Sequence, residues 1–243
     1  MSETEDIYLL DKALRIQVLV DGFKPGLDSV FLAAACPIEK GESVLDMGCG
    51  VGTAGLCVLK RVADTTLTGV DFQSDHIDLA TQNADINDLN ERAHFLSSDI
   101  KEYDAEERFD HVICNPPFLE TGAHIVSPSN RKAMALGHLE EDFDISVWIA
   151  AGHRNLKSGG SLTLVHRADM MDKIILAMGK KFGAVEIMPL WPKTGRDARR
   201  VIIRAIKDRK TPAALYAGIT LHEDDGEYTK AAQSILRDME AIG

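Results

Sequence analysis

The chain alternates between short, continuously apolar runs and longer stretches whose apolar residues recur at helical spacing. The runs Ser43–Met47, Thr66–Phe72, Ala93–Ser97, Phe109–Cys114, Ser161–His166, Ala184–Pro189 and Arg200–Ile206 have the length and character of buried strands. Helical spacing falls between them, over about 53–62, 75–89, 144–156 and 170–180. Strand and helix in alternation predict a parallel sheet with helices on both faces. Only Leu190–Ala198 separates the last two strands, so these are expected to be antiparallel neighbours. The prediction is an α/β fold with a seven-stranded, mostly parallel sheet.

The flanks carry weaker patterns. Residues Ile7–Gly22 alternate loosely and suggest a short strand or hairpin, and Asp28–Cys36 reads as a short apolar helix capped by Asp28 and ended by Pro37. Near the end, Asp224-Asp225-Gly226 marks a turn, and Ala232, Ile235, Leu236, Met239 and Ile242 share one helical face. The expected organisation is one domain over 1–243. A hairpin and helix (1–40) precede a binding and catalytic core (41–210), and a strand or turn and a helix (211–243) follow it.

Ligands of open parallel sheets bind outside the carboxyl ends of the strands, and polar signals stand at four such ends. The first is Asp46-Met-Gly48-Cys49-Gly50-Val-Gly52, where glycines let the backbone approach a ligand ahead of a helix N-terminus. The second is Asp71 with Phe72, suited to accepting hydrogen bonds from ribose hydroxyls, and the third is Asp99 with Ile100. The fourth is Asn115-Pro116-Pro117-Phe118, where two prolines stop the strand and leave an amide, rigid carbonyls and an aromatic ring. That set suits holding a planar amino group still. Taken singly, each aspartate also reads as a helix cap or turn former, and Asn-Pro-Pro as a plain strand-ending turn.

A nicotinamide site is the competing reading, because Gly50-Val-Gly52-Thr-Ala-Gly55 spells the dinucleotide pattern with Asp71 at a suitable distance. The strand already ends near Met47, however, and aligned from Gly48 the third glycine comes one residue too early. Asp46 would also repel a pyrophosphate. The same carboxylate suits a cofactor whose amino-acid portion carries an ammonium, as S-adenosylmethionine does.

With these motifs in this order, the sequence resembles the class I methyltransferases, which implies a Rossmann-like fold and S-adenosylmethionine as cofactor. By that resemblance the loop Gly48–Gly52, with Asp46 and Cys49, holds the methionine part and Asp71 the ribose. Asp99 meets the adenine amino group, Phe72 and Ile100 pack its faces, and Asn115 borders the cofactor. In amino-methyltransferases with this turn, the target nitrogen donates to the Asn115 side chain and the Pro116 carbonyl while Phe118 stacks on the acceptor. The acceptor there is adenine N6, guanine N2, cytosine N4 or a glutamine side chain. The short N-terminal segment and Pro192-Lys193-x-Gly195-Arg196-x-Ala198-Arg199-Arg200 are similar to the bacterial tRNA1(Val) adenine-N6 methyltransferases, which implies tRNA as partner. Ribosomal guanine-N2 and protein-glutamine methyltransferases are the alternatives, and a cofactor-binding protein without activity is a more distant one.

Charge modifies this picture in one place. The formal net charge of −11 argues on average against a nucleic-acid partner. Between Lys193 and Lys210, however, eight basic residues face two acidic ones, a local net of +6 that leaves −17 elsewhere. Lys193, Arg196, Arg199 and Arg200 are therefore candidate RNA contacts, although the stretch also reads as a solvated loop. Arg131 and Lys132, in a polar loop after the Asn-Pro-Pro-Phe turn, are further candidates, and that loop has the length of a lid. Trp148, Trp191, His124 and His138 read as structural. Neither the histidines nor the cysteines show ligand spacing, so no metal is expected. No run is long enough to span a membrane, and the acidic start is unlike a signal peptide, so a soluble cytoplasmic protein is expected.

Overall fold

The computed structural model describes residues 3–21, 24–117 and 144–242. Its strands in chain order are β1 Thr4–Leu9, β2 Leu14–Leu19, β3 Ser43–Met47, β4 Thr66–Asp71, β5 Ala93–Ser97, β6 Phe109–Cys114, β7 Leu156–Arg167, β8 Phe182–Trp191, β9 Arg200–Lys207, β10 Ala214–Leu215 and β11 Ile219–Thr220. The helices are α1 Leu27–Ala35, α2 Thr53–Arg61, α3 Ser74–Asp85, α4 Ile145–Asn155, α5 Met171–Met178 and α6 Lys230–Asp238.

The main sheet runs β10-β8-β9-β7-β6-β3-β4-β5, with β11 also on β8. β9 is antiparallel to both β7 and β8, and the other pairings are parallel. The seven long strands and the antiparallel pair are those expected. The short β10 and β11 widen the sheet to nine strands, and segments of two residues carry no periodic signal in a sequence. β1 and β2 form a separate antiparallel hairpin. Two apolar layers cover the sheet. One joins the hairpin, α1, α2 and α6, and the other joins α4 and α5.

Several boundaries differ from expectation: β7 begins at Leu156 rather than Ser161, α6 ends at Asp238 short of Met239 and Ile242, and the starts or ends of α1 and α3 differ for local physical reasons. Asp28 does not cap α1, whose N-cap is Gly26 with no side-chain hydrogen bond. Asp28 lies inside the first turn, and its carboxylate accepts from Arg200 Nε at 3.1 Å. α3 stops at Asp85, short of Leu89, because the chain turns over 86–88 and Asp88 takes a positive φ of 58°. The C-terminal carbonyls of α1 are satisfied from distant segments. Ala33 O accepts from Arg61, Ala34 O from the Ile242 amide at 2.9 Å, and Ala35 O from Arg204 at 3.0 Å. These bonds answer the unpaired carbonyls every helix leaves at its end. No helix among the described residues is long and apolar enough to cross a membrane.

Candidate active site

The carboxyl ends of β5, β4, β3, β6 and β7 lie along one edge of the sheet, in that spatial order. β3 delivers Asp46 there, 2% exposed, with Oδ2 accepting from the Gly55 amide at 3.0 Å. Burial pushes this carboxyl up to about 7; the Gly55 bond opposes the shift and the neighbouring Asp71 charge adds to it. After Met47 the chain turns sharply, and the Gly48 and Cys49 amides both donate to Val70 O of β4, at 2.7 and 3.1 Å.

The glycines of this turn meet different surroundings. Gly48 has a φ of +66°, and a Cβ there would lie 2.5 Å from the Trp148 ring. Gly50 has a φ of +53°, and a Cβ on it would meet nothing within 4 Å. Its open side is a cradle that a side chain would fill. Asp71, 6% exposed, fixes the loop: Oδ2 accepts from the Gly50 amide and Oδ1 from the Gln73 amide, both at 2.9 Å. A carboxylate has about four acceptor sites, so each oxygen keeps capacity for a further donor.

At the end of β5, Asp99 is half-buried and its Oδ1 accepts from the Lys101 amide at 2.8 Å. Ile100 is half-buried, and Phe72 is 47% exposed, a large apolar surface on this edge. Met47 of β3 and Cys114 of β6 are register partners, which brings Asn115 alongside Gly48. The Asn115 Oδ1 is buried and has no hydrogen-bond partner among the described residues. Pro116 is buried and Pro117 half-buried. Phe118, Arg131, Lys132 and the polar loop that carries the last two lie outside the described residues, as do His124 and His138.

Trp148 is the site neighbour that sequence reasoning missed. It is 8% exposed, its ring abuts Gly48, and its Nε1 is buried without a partner among the described residues. The available signal was positional: Trp148 stands in the first turn of the first described helix after the Asn-Pro-Pro turn.

The family model described as methyltransferase small domain matches residues 26–190. The chain belongs to the methyltransferase small domain family. A tRNA1(Val) (adenine(37)-N6)-methyltransferase of Shewanella baltica is 27% identical to this methyltransferase over 234 residues, 93% of this chain and 96% of the other. Among solved structures, an Agrobacterium tumefaciens protein described as a predicted O-methyltransferase superposes with a TM-score of 0.73 at 24% identity, covering 88% of this chain and 98% of that one. An S-adenosylmethionine-dependent O-methyltransferase of Thermotoga maritima does so with a TM-score of 0.55 at 19% identity, covering 77% and 67%. The methyl donor of this enzyme is S-adenosylmethionine. The open cradle at Gly50, the spare acceptor capacity of Asp71 and the orphaned Asn115 oxygen fit that cofactor and its acceptor.

Two predictions follow from this geometry. Asp46 is mostly neutral below about 7, and only its ionised form attracts an ammonium. Affinity for S-adenosylhomocysteine, measured by calorimetry, is therefore expected to fall as pH drops through that value, by up to about tenfold per pH unit. Asp46→Asn should flatten the profile. Gly48→Ala is expected to lower stability by roughly 2 to 4 kcal/mol, combining a left-handed backbone with a clash against Trp148. Adding Trp148→Leu should recover the clash and leave about 1 kcal/mol of backbone strain, read as a coupling energy in urea unfolding.

Proposed function

We propose that this methyltransferase modifies an exocyclic amino nitrogen, N6 of an adenine in tRNA, with the anticodon-loop adenine of valine tRNA as its site. The observation that carries the amine assignment is the Asn115 Oδ1, a buried acceptor with no partner among the described residues, beside the glycine loop. An unpaired buried acceptor costs about 1–3 kcal/mol, and an incoming amino group removes that cost. The assignment to tRNA adenine is supported by the name of the Shewanella baltica relative, which aligns over nearly the whole chain.

When bound, S-adenosylmethionine supplies an electrophilic methyl on sulfonium sulfur. In the proposed site, Asp46 and the Gly48–Gly52 loop, with Cys49, hold the methionine portion, Asp71 the ribose hydroxyls and Asp99 the adenine amino group, between Phe72 and Ile100. Asn115 Oδ1 and the Pro116 carbonyl accept from the two hydrogens of the target amine. That arrangement favours pyramidal nitrogen and the positive charge that develops there. The proton becomes acidic only after transfer, so the residues at this turn need supply no strong base. Pro117 keeps the turn rigid and Phe118 supplies the stacking ring.

RNA contact is supported by the connection between β8 and β9. Because β8 is parallel to β7, residues 192–199 emerge on the same edge as Asn115. A cleft of about 540 Å³ opens there, lined by Pro192, Lys193, Arg196, Asp197, Arg199 and His222. Arg196 and Arg199 are exposed, whereas Lys193 donates to Asp224 O at 2.9 Å and Arg200 pairs with Asp28. Three strand spacings separate β6 from β8, roughly 15 Å. The cleft therefore suits phosphates flanking the target nucleotide.

Labelled methyl transfer into total RNA and total protein, followed by nucleoside analysis, tests the function: N6-methyladenosine in tRNA is expected, and N2-methylguanosine or labelled protein would overturn it. Asn115→Ala should lower kcat by about hundredfold or more with S-adenosylhomocysteine affinity nearly unchanged. The double variant Arg196→Glu, Arg199→Glu should weaken tRNA binding and reduce the slope of log K against log salt by about 1.5, as for two lost phosphate contacts. An unchanged slope would make these side chains ordinary surface charge.

A further inference from the structure

Two asparagines one helical turn apart close the open edge of the N-terminal hairpin. Asn83 on α3 accepts from the Gln17 amide at 2.7 Å and returns a bond to Gln17 O at 3.0 Å. Asn87, just beyond α3, does the same for Arg15, at 3.0 and 2.6 Å. The match is geometric: four helical residues rise about 6 Å, close to the roughly 6.8 Å between alternate residues of a strand. The two side-chain amides thus stand in for a missing strand beside β2, and both are buried.

Asn83 and Asn87 differ in where the second bond of the side-chain NH2 goes. Asn87 donates it to Asn83 O at 2.7 Å, back along the helix, whereas Asn83 donates it to Val51 O at 3.0 Å, inside the glycine loop. Both of its donors and its acceptor are then in use, and it is fully buried. The loop is consequently held from two sides, by Asp71 at the Gly50 amide and by Asn83 at the next carbonyl. No other side chain described here bonds both the hairpin and that loop.

We propose that Asn83 is a positioning residue for the cofactor loop and couples cofactor occupancy to docking of the N-terminal hairpin. Any ligand that fixes the Gly48–Gly52 backbone fixes Val51 O, and through the Asn83 amide it fixes the outer edge of β2. Opening the hairpin, in turn, removes two of the three bonds that orient the Asn83 amide and lets the loop relax.

Asn83→Ala and Asn87→Ala remove equivalent hairpin bonds, but only the first releases the loop. Asn83→Ala should weaken S-adenosylhomocysteine binding by about tenfold, the value of one buried hydrogen bond. In steady state this should raise KM for the methyl donor and leave kcat within about twofold. Asn87→Ala should leave that affinity within about twofold despite a comparable loss of stability. Equal effects of the two variants, or none from Asn83→Ala, would overturn the proposal. The wild type gives a test that needs no variant: S-adenosylhomocysteine at a hundredfold excess over its Kd should slow hydrogen exchange at the Gln17 amide by up to about a hundredfold. Exchange there that ignores the ligand would overturn the coupling even if Asn83→Ala failed to fold.

Discussion

The site depends on two carboxylates, at the ends of neighbouring strands, spent on backbone amides. Asp46 accepts from Gly55 and Asp71 from Gly50, both from nearly complete burial. α2 begins at Thr53 behind Gly52, an N-cap with no side chain, so its first amides lack the usual local partner. Asp46 supplies that partner from a different element, at the third residue of the helix. A negative charge at a helix N-terminus is favourable, yet burial and Asp71 together hold the Asp46 carboxyl near neutrality. The protein therefore keeps an acid that its own surroundings only half ionise. In the proposed site a cationic group above the loop would complete the charge balance, so that the same two residues would serve both the fold and the cofactor.

Much of this was legible in the sequence, and for a definite reason. Strands buried on both faces read as apolar runs, their alternation with helices fixes parallel pairing, and parallel pairing brings every strand end to one edge. Asp46, Asp71, Asp99 and Asn115 needed only that reasoning to be grouped. What failed to show involves contacts across long sequence separation. Asp28 has the residue type of a cap at the start of a helix, but it sits two positions past the N-cap and meets Arg200, 172 residues away. Trp148 looked like ordinary core, and its ring does belong to the apolar layer of α4 and α5. Its far end nonetheless sets the space over Gly48, so that the glycine there answers to an indole. Asn83 and Asn87 gave no signal, because surface-type residues on a helix do not reveal that a hairpin covers them.

The antiparallel insertion of β9 determines which edge of the sheet carries the basic connection. A further parallel strand beside β7 would require a crossover, and the chain would re-enter the sheet from the edge opposite the site. Running β9 backwards between β7 and β8 makes the β8–β9 connection a simple reversal at the carboxyl edge. The backbone ties it there: Ala168 N, just past β7, donates to Arg199 O at 3.1 Å. The basic residues of 193–210 then divide by position. Arg204 and Lys207 lie within β9 and bond Ala35 O, Glu186 and the carbonyls of His153 and Leu156, so they hold the fold together. Arg196 and Arg199, in the reversal, remain exposed beside the cleft. A charge run that looks uniform in the sequence is thus split by one strand direction into residues that build the sheet and residues that face whatever approaches its edge.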